Sequence, residues 1–255
     1  MCTLTLRSRR LTPDEHGYLT WRVRECPARL IPSETALVLC DVWDRHWCRG
    51  ANERLERMLP RMAAVVEAAR SVGVLIVHAP SDTMAFYRDS PARQRVWAAP
   101  PIAPPADLLH DDPALPVDAA DGGCDTLDNV AGVDVRVWTR QHPAIRIDED
   151  QDAISDSGQE LYSLYQHVGI RTVILMGVHT NMCILHRSFA IKQMVRWGFA
   201  VALVRDLTDT MYNPARPPYV AHAEGTRLTV EFIERFWCPT IESRDLIQAC
   251  GGQCD

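Results

Sequence analysis

Short apolar runs alternate along this chain with stretches of helical periodicity, and that alternation constrains the fold more than any other feature. ALVLC (36–40) and TVILMGV (172–178) are runs of strand length flanked by segments with one apolar face. This is the pattern of βαβ units around a parallel sheet covered on both sides. The runs predict strands at 36–41, 73–78, 134–140, 172–178, 199–205 and 239–242. Between them, Leu59, Met62, Val66 and Ala69 share one face of a helix over 59–72, in which Pro60 is compatible only with the start. Ser157 and Glu160 have capping-box spacing ahead of the stripe Leu161, Leu164, Tyr165 and Val168, and Gly169 ends that helix. Further helices are expected at about 182–197, with Ile184, Ser188, Ile191 and Val195 inward, and at 226–237.

Two regions break the rhythm. Residues 1–35 carry LTLRSRR and YLTWRVRE around a polar DEHG, which reads as a β-hairpin added to the main sheet. Residues 88–133 are rich in Pro, Asp and Ala around APPIAPPAD, too long for an ordinary connection, and read as a lid or an oligomer contact. The expectation is one α/β domain over 1–255: a three-layer α-β-α sandwich with a six-stranded, mostly parallel sheet, plus the hairpin and the Pro-rich insertion.

Composition removes several classes of function. A net charge of −6 and a pI near 5.8 supply no general basic surface, so no nucleic-acid partner is expected. The apolar runs fall far short of the roughly 20 residues a membrane span needs, so no membrane partner is expected. MCTLTLRSRR has neither the apolar core nor the cleavage site of a secretory signal, and the nine cysteines show no CxxC pair or disulfide-like rhythm. Both features point to reduced thiols in the cytoplasm. Basic charge comes from 26 arginines and one lysine, Lys192.

In an open parallel sheet, ligands bind beyond the carboxyl ends of the strands. The predicted strands end in Asp41, His78, Arg140, the segment GVHTNMC (177–183) and Asp206. In GVHTNMC a buried strand turns into a helix whose first turn holds Cys183. Amides and the helix dipole there can draw a thiol pKa from about 8.5 toward ~3.5–7.5, and the same amides can hold an oxyanion. Position alone leaves Cys183 as either a nucleophile or an inert buried thiol.

ALVLCDVWD, VILMGVHTNMCIL and VALVRDLTDT together resemble the isochorismatase-like hydrolases over about residues 35–245. That family includes nicotinamidases, carbamoyl and ureidoacrylate amidohydrolases and streptothricin hydrolases. The resemblance implies Asp41 as general base, Cys183 as nucleophile, Asp206 at the family's post-strand acid, and a cis Val178–His179 peptide. The cis bond aims the His179 and Cys183 amides at the substrate oxygen. It also implies assembly as a dimer or tetramer. The chain departs from the family in its third catalytic group: the family lysine near the third strand is missing from VRVWTRQHPAIRI. Arg140 is the expected replacement, with Arg146 in reserve. Lys192 lies nine residues beyond Cys183, about 13 Å along a helix. Nicotinamidases bind a divalent ion through histidines, but VHAPSDTMAFYRD offers His78 and Asp82 without a second histidine, so no metal and no other cofactor is expected.

Trp43, His46, Trp47, His78, Asp209 and Tyr212 are the expected substrate-binding residues, and Asn181 the expected helix cap. The implied activity is hydrolysis of an amide-type C–N bond in a small molecule, such as a carbamoyl, ureido or lactam compound, through a Cys183 thioester. Acid hydrolysis of a vinyl ether needs no thiol, and a non-enzymatic binding or scaffold member would fit the missing lysine. These are the competing readings.

Overall fold

The computed structural model describes residues 3–127 and 136–251. Two long strands open the chain, β1 (Thr3–Pro13) and β2 (Leu19–Arg29), paired antiparallel from Thr3↔Arg29 to Pro13↔Leu19. Asp14 closes their turn by accepting the amides of His16 and Tyr18 on one oxygen, each at 2.9 Å. There follow β3 (Thr35–Cys40), α1 (Arg49–Ser71), β4 (Leu75–Ala79), α2 (Pro91–Ala98), β5 (Ala153–Ile154), α3 (Gly158–Val168) and β6 (Thr172–Val178). The remainder is α4 (Cys183–His186), α5 (Ile191–Arg196), β7 (Ala200–Asp209), α6 (His222–Phe236), β8 (Thr240–Ile241) and α7 (Ser243–Gly251).

The strands form a single mixed sheet in the order β2-β1-β8-β7-β6-β3-β4-β5. It has eight strands rather than six, because the hairpin joins the parallel part antiparallel at Arg7↔Thr240. β3 shows why the apolar runs had to be buried strands: every residue in it is buried, and alternate side chains enter opposite layers. Ala36, Val38 and Cys40 pack with α3, α5 and α6; Leu37 and Leu39 pack with α1 and α7. Among the described residues, no helix is long and apolar enough to cross a membrane.

Four local expectations are corrected. First, of the predicted strand 134–140, residues 134 and 135 lie outside the described residues, and 136–139 have no strand pairing. Asp44 holds this segment by accepting the Thr139 amide (2.9 Å) and hydroxyl (2.5 Å), and the short parallel partner of β4 is β5 instead. Second, Pro60 lies inside α1, which begins eleven residues earlier, at Arg49. It sits on the exposed face, where water can satisfy the carbonyl that a proline ring leaves unbonded.

Third, 182–197 is two short helices. The chain leaves helical geometry at Arg187 (ψ 151°), and α3 docks into the break, with the Gly158 amide donating to the Ser188 hydroxyl at 2.9 Å. A Cβ on Gly158 would lie 1.9 Å from the Ser188 carbonyl oxygen, so only glycine permits this approach. Fourth, Cys48 and Cys124 form a disulfide across 76 residues. A separation that long leaves no local spacing signal to read.

Candidate active site

β3 lies between β4 and β6, so the connections from the two parallel neighbours diverge at its carboxyl end and open a crevice there. Asp41, the first residue beyond β3, is fully buried and has a φ of 51°. One carboxylate oxygen accepts the Ser81 amide at 2.8 Å, and the other accepts Nε of Arg187 at 3.0 Å. The Cys183 thiol lies beside the same carboxyl, close enough for each to shift the other's titration. Residues 41 and 183 thus meet, although 142 positions separate them in the sequence.

The Val178–His179 peptide is cis, and His179 opens the turn that carries Cys183, its carbonyl accepting the Met182 amide at 3.0 Å and the Ile184 amide at 3.2 Å. Gly177 makes this turn possible with a φ of 125°, because a Cβ there would meet the Cys40 carbonyl oxygen at 2.0 Å. The thiol is not activated in the manner expected of a helix N-terminus. α4 is one turn long, and burial together with the Asp41 charge pushes the thiol above its ordinary value, against the opposing pull of Arg187 and the His179 amide. Burial likewise raises Asp41, with Arg187, Cys183 and Ser81 pulling it down. Burial thus shifts both groups of the pair toward their protonated forms, with Arg187 opposing it at each.

Arg187 is the residue that sequence reasoning missed. It follows Cys183 by four positions, a spacing that places both on one side of a helical turn, and this is the signal that could have found it. Arg140 does not reach Asp41: its guanidinium lies over the Phe86 ring at 5.6 Å. Arg146 pairs with Glu67 and Asp148, both at 3.4 Å, and Lys192 with Asp112 at 2.6 Å.

The expected substrate contacts divide into two groups. His46 stacks with Trp138 and meets His179 edge-on at 4.9 Å; Trp43 stacks on Trp138 at 4.2 Å, and Trp47 adjoins His46 at 5.1 Å. This aromatic wall stands beside the turn that carries Cys183. Burial holds both imidazoles neutral, lowering His46 to about 4 and His179 to about 3. The Cys48 amide donates to His46 Nδ1 at 3.1 Å, which leaves the ring proton on Nε2.

The other three are already occupied. Both ring nitrogens of buried His78 are bonded, to Gln141 at 2.8 Å and Asp152 at 2.9 Å, so it does not line a substrate pocket. Tyr212 is fully buried, with its hydroxyl donating to the Arg216 carbonyl at 2.9 Å. Asp209 accepts from Arg54 at 2.8 Å and bonds His222 at 3.0 Å.

Two further expectations fail for similar reasons. Asn181 does not cap α4; it bonds the Met211 amide and carbonyl, joining the turn to the segment after β7. Asp206 is exposed and caps α7 through the Ser243 amide and hydroxyl. The pairing between β6 and β7 slips between Leu175↔Leu203 and Gly177↔Thr208, so Asp209, not Asp206, lies opposite Val178.

No described group here suits a metal ion. Asp82 pairs with Arg187 and Arg136, and His78 is spent as above. Cys48, Cys124 and Asp125 lie close together, but the two sulfurs are bonded to each other and Asp125 takes two bonds from Arg54.

No family model and no curated protein sequence matches the chain. Solved structures do. A cysteine hydrolase from Pseudomonas syringae pv. phaseolicola 1448A is 16% identical, with a TM-score of 0.55 over 88% of this chain and 95% of that one. An isochorismatase family protein from Burkholderia thailandensis is 14% identical, with a TM-score of 0.51 over 88% and 98%. Eight strands, helices on both faces and near-complete coverage of both relatives give one conclusion: the chain has the fold of the isochorismatase-like hydrolases.

Proposed function

We propose that this protein is a cysteine hydrolase of the isochorismatase-like family that cleaves an amide-type C–N bond in a small linear or cyclic substrate. The observation that carries the reading is the Cys183 thiol beside a buried acid, Asp41, which is itself fixed by the Ser81 amide and Arg187. Asp41 takes the thiol proton as the sulfur attacks the carbonyl carbon. The His179 and Cys183 amides receive the oxyanion, a role supported by their place on the turn that presents the nucleophile. Collapse expels the amine, which takes the proton from Asp41 and leaves a thioester. Asp41 then deprotonates water, and attack on the thioester releases the acid and restores the thiol. Trp43, Trp138 and His46 offer a flat wall suited to a planar amide, carbamoyl, ureido or lactam group.

The test is a panel of amides, carbamates, ureido compounds and lactams, followed by ammonia release and product mass. A substrate should acylate Cys183, visible as added mass on the intact protein, and Cys183→Ala should abolish turnover while retaining the fold. Hydrolysis at the parent rate by Cys183→Ala would overturn covalent catalysis; if the substrate so cleaved were a vinyl ether, acid catalysis by Asp41 would be assigned instead.

A further inference from the structure

Among the described residues, Arg187 is the cation paired with Asp41, and it is the residue directly after the four-residue helix that Cys183 opens. Its amide donates to the Cys183 carbonyl at 3.0 Å, so one helical turn fixes nucleophile and cation together. The guanidinium has two edges in use: Nε donates to Asp41 at 3.0 Å, and Nη2 lies 3.5 Å from Asp82. Asp82 is held in turn by its amide bond to Asp156 (2.9 Å) and by Arg136, 3.4 Å from its other oxygen. The Arg187 side chain is 32% exposed, so this chain of charges runs from the buried base to the surface.

From this geometry we infer that Arg187 is the positioning residue of the Asp41–Cys183 pair, supplying from the nucleophile's own helix the fixed positive charge for which the third strand offers no lysine. The inference rests on the cysteine-hydrolase reading and deepens it. Before proton transfer the group holds a carboxylate, a thiol and a guanidinium; afterwards it holds a carboxylic acid, a thiolate and the same guanidinium. Net charge is zero in both states, so the proton moves without leaving an uncompensated charge in a buried site. Arginine remains protonated throughout, as its ion pair with Asp41 raises it further against the effect of burial. It therefore orients and compensates but donates no proton, and Asp41 alone carries protons in both half-reactions. The groups facing this pair are Ser81, Cys40, Asp82 and the His179 amide; Cys40 is buried with its thiol pushed up, so it stays neutral beside Asp41.

The experiment reads Cys183 itself. The rate of iodoacetamide alkylation at Cys183 is measured across pH 5 to 10 by peptide mass for the parent, Arg187→Gln, Arg187→Lys, Arg187→Ala and Arg140→Gln, each first checked for folding by its melting curve. Arg187→Gln should shift the inflection upward by at least one pH unit and slow labelling at neutral pH about tenfold. Arg187→Lys should recover part of the loss, and millimolar guanidinium should speed labelling of Arg187→Ala but not of the parent. Arg140→Gln should match the parent. A parent-like profile for folded Arg187→Gln, or no recovery by either lysine or guanidinium, would overturn the inference. Should Arg187→Gln fail to fold, guanidinium rescue of Arg187→Ala and the Arg187→Lys profile decide alone. Labelling needs no substrate, so this result stands apart from any failure of the amide panel.

Discussion

Two Asp–Arg pairs flank the turn after β6, and they do opposite things. Asp41 has one arginine, one amide and a thiol around it, and burial outweighs them, leaving its carboxyl raised. Asp209, whose backbone carbonyl accepts the Thr180 amide at 2.8 Å, is also buried, but the His222 bond and Arg54 charge outweigh burial and hold its carboxyl low. Arg54 also takes both oxygens of Asp125, and His222 lies 3.3 Å from the same carboxylate. A carboxyl that its partners hold low stays an anion and belongs to the scaffold; one that burial leaves raised can accept a proton. The comparison separates a reactive acid from a structural one of the same residue type, a few residues from the same turn.

The sharpest way to break the contrast is to neutralise each acid in turn. Asp41→Asn should reduce turnover by about 10³-fold or more while leaving the melting temperature unchanged or higher, because a raised carboxyl contributes no stability as an anion. Asp209→Asn should cost about 2 kcal/mol, since Arg54 and His222 each lose a charged partner and keep only Asp125, with Cys183 labelling retained in the folded fraction. Denaturant melts of the two variants decide: equal losses of stability would dissolve the distinction.

The Cys48–Cys124 bond sharpens it next, because it ties the loop bearing His46 and Trp47 to the segment bearing Asp125. Gly123 in that segment packs so closely on Met211 that a Cβ would lie 2.4 Å from its carbonyl oxygen. Replacing both cysteines with serine should lower stability by about 2–4 kcal/mol, read by urea titration. Unchanged stability would mean that the Arg54 network alone holds this wall.

Acid offers a sign check on both regions. His46 and His179 are depressed to about 4 and about 3, so the unfolded chain takes up protons first, near 6.5. Stability should fall as pH drops below about 6.5 and level off below about 3. The lowered Asp209 acts later: its contribution is present above the unfolded value near 4 and is lost as pH falls through its folded value. Melting temperatures measured from pH 7 to 3 should show the histidine loss first; a flat profile down to pH 5 would show the imidazoles to be charged or exposed.

Legibility in the sequence followed the range of the interaction. ALVLC and TVILMGV read as buried strands because alternation and apolarity are local, and Ser157 accepts the Glu160 amide at 3.4 Å at the predicted start of α3. Asp41 could be named because it ends a readable strand, and Cys183 because VILMGVHTNMCIL resembles a family motif. Segment 136–140 was misread as strand because Val137 and Trp138 are half-buried, yet Asp44 and the Trp43↔Gln141 bridge hold it across the site instead. The expectation of Arg140 at the site falls with that strand.

The sequence by itself determined the α/β architecture, the acid Asp41 and the thiol Cys183 as candidates for chemistry, and the turn that presents the thiol, since periodicity and turn chemistry are encoded within a few residues. Tertiary structure alone decided which arginine meets Asp41, which acid burial leaves raised, which histidines are spent in the core, and which cysteines bond. Each of those outcomes depends on distances between segments far apart in the chain, and on burial, which sets the cost of a charge only once the surrounding walls are in place.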